Sequence, residues 1–168
     1  MRLFFALWPP EQTARALGKW ARDAQAVTGG RCTADEKVHL TLAFLGAADP
    51  QRAIKAARGV SGKKHSLPLE QARYWRENNI VWAGPRETPS ALKALHAELS
   101  LRLYREEFIL DRRPFAAHVT LIRKARNAKL PPLPAALEWP VDELLLVRSE
   151  VSSSGSSYEP LERFPLAA

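Results

Sequence analysis

Two short stretches of the chain hold the residues that could do chemistry. HLTLAFLG spans residues 39–46, and HVTLIRKA begins at His118. Each sets a histidine and a threonine two residues apart in an otherwise aliphatic run. Residues two apart share one face of a strand. Strict alternation therefore puts His39, Thr41 and Ala43 on one face and Leu40, Leu42 and Phe44 on the other. In the second copy it groups His118, Thr120 and Ile122 against Val119 and Leu121. One His-x-Thr in a strand is ordinarily a satisfied core histidine or a surface pair. The same pattern twice, each time after a helix, is not expected from packing alone.

Two imidazoles facing one cavity suit acid–base chemistry. Histidine titrates near neutral pH, so one ring can be protonated while the other is neutral. That supplies a general acid and a general base together. The two threonine hydroxyls can donate to the non-bridging oxygens of a tetrahedral phosphate. The base side would activate water or an attacking hydroxyl, and the acid side would protonate the leaving oxygen. A zinc site built on the two histidines would want a third ligand, and neither strand supplies a neighbouring Cys, Asp or Glu. No Walker loop or dinucleotide glycine pattern occurs, so neither a metal nor a nucleotide cofactor is expected.

The elements around the motifs follow from periodicity. Residues 2–8, RLFFALW, read as a strand ended by Pro9 and Pro10. Ala14, Leu17, Trp20, Ala21 and Ala24 lie at helical spacing in 10–27, and TGGR closes that helix. VHLTLAFLG is a strand ending at Gly46. Asp49-Pro50 should cap a helix reaching about Arg58. SLPLEQARYW and NIVWAG read as two strands joined by RENN. Thr88-Pro89 should cap a helix through Tyr104, with Leu92, Leu95, Leu99 and Leu103 as its buried stripe. HVTLIR, LEWPV, ELLLVRSEV and YEPLERFPL are further strands. SSSGSS between the last two reads as a hairpin loop rather than a linker. Hairpin-joined strands interleaved with helices favour α+β with antiparallel sheets over a doubly wound parallel sheet. A helix precedes each motif strand, so two pseudo-symmetric lobes would bring the strands face to face.

Bulk properties set the limits. With 168 residues the chain can bury a sizeable core as one domain or two small lobes. The formal charge is +7, which favours nucleic acid or phosphorylated partners, or marks a merely basic enzyme. The single cysteine, Cys32, excludes a disulfide framework and makes a reducing cytoplasm the default. It could be a nucleophile but is ordinarily a small filler. No apolar run is long enough to cross a membrane as a helix. The remaining histidines carry less: His65 sits in a basic turn, where Lys63 and Lys64 could touch a nucleic-acid backbone, and His96 is expected on a helix surface.

HLTLAFLG and RPFAAHVTLIR resemble the two-histidine phosphoesterase superfamily, and within it the RNA 2′,3′-cyclic phosphodiesterases, also called 2′,5′ RNA ligases. The resemblance extends over RLFFALWPP, IVWAG and YEPLERF, and so over nearly the whole chain, 1–168. It implies a single bilobal domain, with antiparallel sheets lining a central cleft and helices packed outside. It implies hydrolysis of a 2′,3′-cyclic phosphate at an RNA 3′ end to a 2′-phosphomonoester, with reverse 2′,5′ ligation as a second activity. Carried over, His39 is the proton donor, His118 the proton acceptor, and Thr41 and Thr120 hold the phosphate. Arg123 matches an arginine common after the second motif, although strict alternation sends it to the wrong face unless the strand bends near Ile122. Phe44 holds the equivalent place in the first copy and could stack on a base or pack in the core. Trp75 could line an RNA groove or belong to the core. The chain has Ala117 where many relatives have proline. It also lacks a basic residue in SSSGSS, which leaves Tyr158 as the terminal contact there. The implied partners are RNA ends, tRNA fragments among them, met by a monomer in the cytoplasm.

Two other readings use the same residues. One keeps the site but changes the substrate to a small cyclic nucleotide, ADP-ribose cyclic phosphate or a 2′,5′-linked oligonucleotide. The other is a non-catalytic RNA-binding module whose His-Thr pairs only hold phosphate.

Overall fold

A computed structural model of the protein describes residues 2–168. The first strand, β1 (Arg2–Leu7), is buried on both faces, which its unbroken apolar run requires. Helix α1 (Glu11–Thr28) follows, with Ala14, Leu17, Trp20, Ala21 and Ala24 all buried. Gly29, at φ 66°, ends it. A two-residue strand, β2 (Arg31–Cys32), and a 3₁₀ turn at Asp35–Lys37 lead to β3 (Leu40–Gly46). Helix α2 (Pro50–Ala57) is capped by the Asp49 carboxylate, which accepts from the Gln51 N–H at 3.0 Å.

Next come β4 (His65–Pro68), β5 (Gln71–Trp75), β6 (Ile80–Gly84), helix α3 (Ser90–Arg105) and β7 (Val119–Arg123). The chain ends with β8 (Glu138–Val141), β9 (Glu143–Ser152) and β10 (Gly155–Pro165). Two four-stranded sheets run in the orders β10-β9-β1-β3 and β2-β7-β6-β5, and β4 and β8 form a separate pair. Every paired strand is antiparallel. The α+β expectation therefore holds.

Two strand–helix–strand units carry the motifs: β1-α1-β3, in which β1 pairs with β3, and β6-α3-β7, in which β6 pairs with β7. The helix of each unit crosses to the other sheet. Helix α1 packs on β2 and β7, and α3 packs on β3 and α2. The crossing merges the two units into one hydrophobic core, where Leu3, Phe5, Leu40, Leu42, Val81, Val119 and Leu121 meet the α3 stripe Leu92, Leu95, Leu99 and Leu103. Each of those α3 leucines is fully buried, and each such side chain contributes roughly 1.5–3 kcal/mol of burial. On the other face of the first sheet, Phe4, Ala6, Leu145 and Val147 form a smaller cluster, with Trp8 and Tyr158 packed against it.

Two expectations change. SLPLEQARYW is not one strand. Leu69 N–H still bonds Leu137 of the β8 side, while Glu70 N–H bonds Gly84 of β6, so the segment hands over from one sheet to another beside Pro68. Thr88 does not cap α3: Pro89 occupies the cap position, with no side-chain bond. SSSGSS does form a hairpin, but β9 and β10 run into it and leave only residues 153 and 154 as the turn. Among the described residues no helix is long and apolar enough to cross a membrane.

Candidate active site

His39 stands immediately before β3, and His118 immediately before β7. Each ring is held in the same way, by the carbonyl two residues earlier. His39 Nδ1 lies 2.7 Å from the Lys37 carbonyl, and His118 Nδ1 lies 2.8 Å from that of Ala116. A carbonyl only accepts, so Nδ1 carries a proton and donates, leaving Nε2 as the atom available for chemistry. His65 makes the same contact with Lys63 at 2.8 Å away from the cleft, so the clamp is a local feature of a histidine entering a strand. Catalytic meaning comes from what the two clamped rings face.

Both rings are packed by aromatic side chains. His39 stacks on Trp8, with centroids 4.6 Å apart and planes at 14°. Tyr158 meets it edge-on at 5.2 Å, and Phe4 lies at 5.1 Å. The Trp8 indole N–H donates to the Glu36 carbonyl at 3.0 Å, which fixes the stacking ring. His118 meets Trp75 at 4.6 Å and Trp82 at 6.3 Å. Trp8 and Trp82 were not singled out from sequence. A signal existed for Trp8: Phe4, Ala6 and Trp8 keep a period of two through β1.

Alternation fails at an equivalent place in each motif strand, and β3 has a second irregularity further on, at Leu45. In β3, Thr41 pairs with Ala6 and Ala43 with Phe5, leaving Leu42 unmatched. In β7, Thr120 pairs with Trp82 and Ile122 with Val81, leaving Leu121 unmatched. Such a bulge adds one residue and restarts the alternation. Two consecutive side chains then enter the core: Leu42 with Ala43, and Leu121 with Ile122. Ala43 and Ile122 are thus not on the imidazole face, and Phe44 and Arg123 are. Phe44 is 51% exposed, so it is not a core residue.

All eight residues expected at the site, His39, Thr41, Phe44, Trp75, His118, Thr120, Arg123 and Tyr158, line one open cleft of about 1700 Å³. Arg31, Lys37, Arg112 and Arg113 line it too and were not anticipated. Arg31 lies in the two-residue β2, Lys37 in the 3₁₀ turn, and Arg112 and Arg113 in the segment between α3 and β7, all places where sequence period carries little information. His96 also differs from expectation. It is half-buried, stacks on Phe115 at 4.1 Å and faces the cleft instead of the outer surface. Lys63 and Lys64 are not part of the cleft lining.

Burial pulls the pKa of both imidazoles below the ordinary histidine value, and their carbonyl hydrogen bonds push the other way. Arg123 lowers both further, and His118 adds to the effect on His39. Burial raises the Cys32 thiol, which does not favour a thiolate nucleophile. Among the described residues no three His, Cys, Asp or Glu side chains are grouped to hold a metal ion. The cleft gathers two Nδ1-clamped imidazoles, two threonine hydroxyls and an arginine, groups able to move protons and hold a phosphate.

Comparisons with known proteins agree. Residues 7–82 match the family model described as LigT like Phosphoesterase. The RNA 2′,3′-cyclic phosphodiesterase of Escherichia coli is 32% identical over 169 residues, covering 98% of this chain and 96% of that protein. The enzyme of the same name from Thermus thermophilus is 30% identical, covering 99% and 90%. A crystal structure of E. coli LigT complexed with 3′-AMP superposes with a TM-score of 0.92 at 30% identity, covering 99% of this chain and 98% of that one. By full-length identity, fold and paired motifs, the chain belongs to the LigT-like, two-histidine phosphoesterase family.

Proposed function

We propose that this protein hydrolyses the 2′,3′-cyclic phosphate at an RNA 3′ end to a 2′-phosphomonoester. The observation that carries the reading is the matched pair of Nδ1-clamped histidines lining one cleft with a bulge-turned arginine. The names of the relatives support the substrate. In the proposed step, His118 Nε2 takes a proton from water as its oxygen attacks phosphorus. The P–O3′ bond breaks, and His39 Nε2–H protonates the departing O3′. Thr41, Thr120 and Arg123 hold the non-bridging oxygens. Phe44, Trp75 and Tyr158 contact the terminal nucleotide. With a 5′-hydroxyl in place of water, the same attack forms a 2′,5′ linkage.

The division of labour comes from the bound substrate, not from the free protein, in which burial and Arg123 hold both imidazoles toward the neutral form. A bound phosphate anion offsets Arg123 and favours protonating the ring nearest the leaving oxygen. One bilobal domain spanning the chain, acting as a monomer, is sufficient, because both histidines come from a single chain. Cleaved tRNA ends of this chemistry would be substrates.

The test is turnover of a short RNA ending in 2′,3′-cyclic phosphate, with EDTA present. Wild type should release a 2′-phosphate. His39→Ala and His118→Ala should each lose about 10²–10⁴-fold in kcat, the usual size of one acid–base contribution. The double variant should lose little more than either single one, since the two groups act as a unit. Absence of turnover by folded wild type would refute the reading.

A further inference from the structure

The cleft is larger than the proposed reaction requires. Six large apolar side chains are exposed among the described residues, and five of them line this cleft: Phe44, Leu101, Tyr104, Ile109 and Val151. Phe44 adjoins the first motif. The other four come from the end of α3, the loop after it and the β9–β10 hairpin, none of which carries a catalytic histidine. Tyr104 is 75% exposed and Ile109 is 94% exposed. Exposed apolar residues gathered on one face mark a binding surface.

The charges of the same cleft indicate the occupant. Arg31, Lys37 and Arg112 line it without an ion pair among the described residues, and Arg113 is tied to Asp111. Among the described residues of the lining Glu77 and Asp111 are the only carboxylates, so the surface suits an anion. Exposed aromatic faces interleaved with unpaired cations suit single-stranded nucleic acid, whose bases stack while its phosphates meet the cations. The volume of about 1700 Å³ exceeds the roughly 300–1,000 Å³ of a small-molecule pocket. One nucleotide would leave much of it empty.

We infer that the arm of the cleft formed by the end of α3, the 108–114 loop and the β9–β10 hairpin is a strand subsite. It holds the single-stranded RNA on the 5′ side of the cyclic phosphate, with Tyr104 as a stacking face and Arg112 on the backbone. The inference rests on the RNA-end reading above and refines it. The favoured substrate is an oligonucleotide, not a cyclic mononucleotide.

The experiment compares kcat/KM on a 2′,3′-cyclic mononucleotide with kcat/KM on a single-stranded hexanucleotide bearing the same end, for wild type, Tyr104→Ala and Tyr104→Phe. Fluorescence anisotropy of a labelled hexanucleotide ending in 2′-phosphate provides a second readout independent of turnover. Wild type should prefer the oligonucleotide. Tyr104→Ala should cut that preference about 5- to 150-fold, mainly through KM, the size of one lost base stack. Tyr104→Phe should retain it. Because Tyr104 is exposed, loss of fold does not confound the result. Equal turnover of both substrates, or a preference unchanged in Tyr104→Ala, would overturn the subsite while leaving the RNA-end reading intact. Dimerisation of wild type that Tyr104→Ala abolishes, with no effect on RNA, would overturn it in favour of a contact between two copies. Without turnover on either substrate the RNA-end reading fails, and anisotropy decides the subsite: weaker binding by Tyr104→Ala supports it, equal binding refutes it.

Discussion

Arg123 is the residue on which the electrostatics of the cleft converge, because its charge lowers the pKa of His39 and His118 alike. The proposed cycle needs one ring neutral and one protonated. The profile of kcat/KM against pH should therefore be a bell with both limbs below the ordinary histidine value of 6.5. Removing the cation removes a charge that disfavours both imidazolium forms. Arg123→Ala should accordingly shift both limbs to higher pH, in addition to losing a phosphate contact. Arg123→Lys, which retains the charge, should leave the limbs in place. Kinetics from about pH 4.5 to about pH 8 decide the matter, and unmoved limbs in Arg123→Ala would show that the charge is not felt. His39 also stacks on the face of Trp8 and His118 meets Trp75 in an edge contact, which confines each ring to the rotation its Nδ1 clamp selects.

At the scale of elements, the two bulges do the aiming, and β2 holds the second one in place. Arg31 pairs with Arg123 and Cys32 with Ile122, and the Thr33 hydroxyl donates to the Thr120 carbonyl at 3.1 Å. This contact depends on Gly30. Its φ is 88°, and a Cβ there would sit 2.4 Å from the Arg123 carbonyl oxygen and 2.9 Å from Ala125 N. Gly30→Ala combines left-handed strain with a backbone clash and should lift β2 from β7. The cost should be about 1–3 kcal/mol, read as a fall in Tm of roughly 3–10 °C. KM for the cyclic phosphate RNA should rise, because Arg123 moves. Gly46→Ala is the control: its φ is 69° but nothing lies within 4 Å, so it carries strain without the clash and should cost less. Thermal melts and steady-state kinetics on the two variants separate the contributions.

For the whole molecule, the buried histidines tie stability to pH. His39, His118 and His96 all have folded pKa values below 6.5, with burial the first cause in each. Below that value the unfolded chain binds more protons than the folded one, so stability falls as pH falls. Their contribution is complete above the unfolded value and is lost as pH drops through the folded ones. Tm should therefore decline between pH 7 and about pH 5, before carboxylate protonation dominates. Inorganic phosphate should restore part of the loss by pairing with protonated imidazoles in the cleft. A flat Tm across this range would mean the three rings are more solvated than the fold indicates.

The repeated His-x-Thr-Leu pattern, the alternating apolar strands and the Leu92–Leu103 stripe were enough to reach an antiparallel α+β fold and a paired-imidazole site. Each depends on local period, and period is a property of neighbouring residues. Other features depend on partners far along the chain. SLPLEQARYW splits because two different sheets claim its backbone hydrogen bonds. His96 turns inward because Phe115, from the loop before β7, stacks on it. Arg31, Lys37 and Arg112 reach the cleft because the units interlock, with each helix crossing to the other sheet. The bulges at Leu42 and Leu121 mattered most: they form where β1 and β6 impose their register, and no alternation count within β3 or β7 reveals them. The sequence alone determined which groups could do the chemistry. Only the tertiary structure decided that Phe44 and Arg123 face the same space as the two imidazoles, because strand facing is set by pairing between strands.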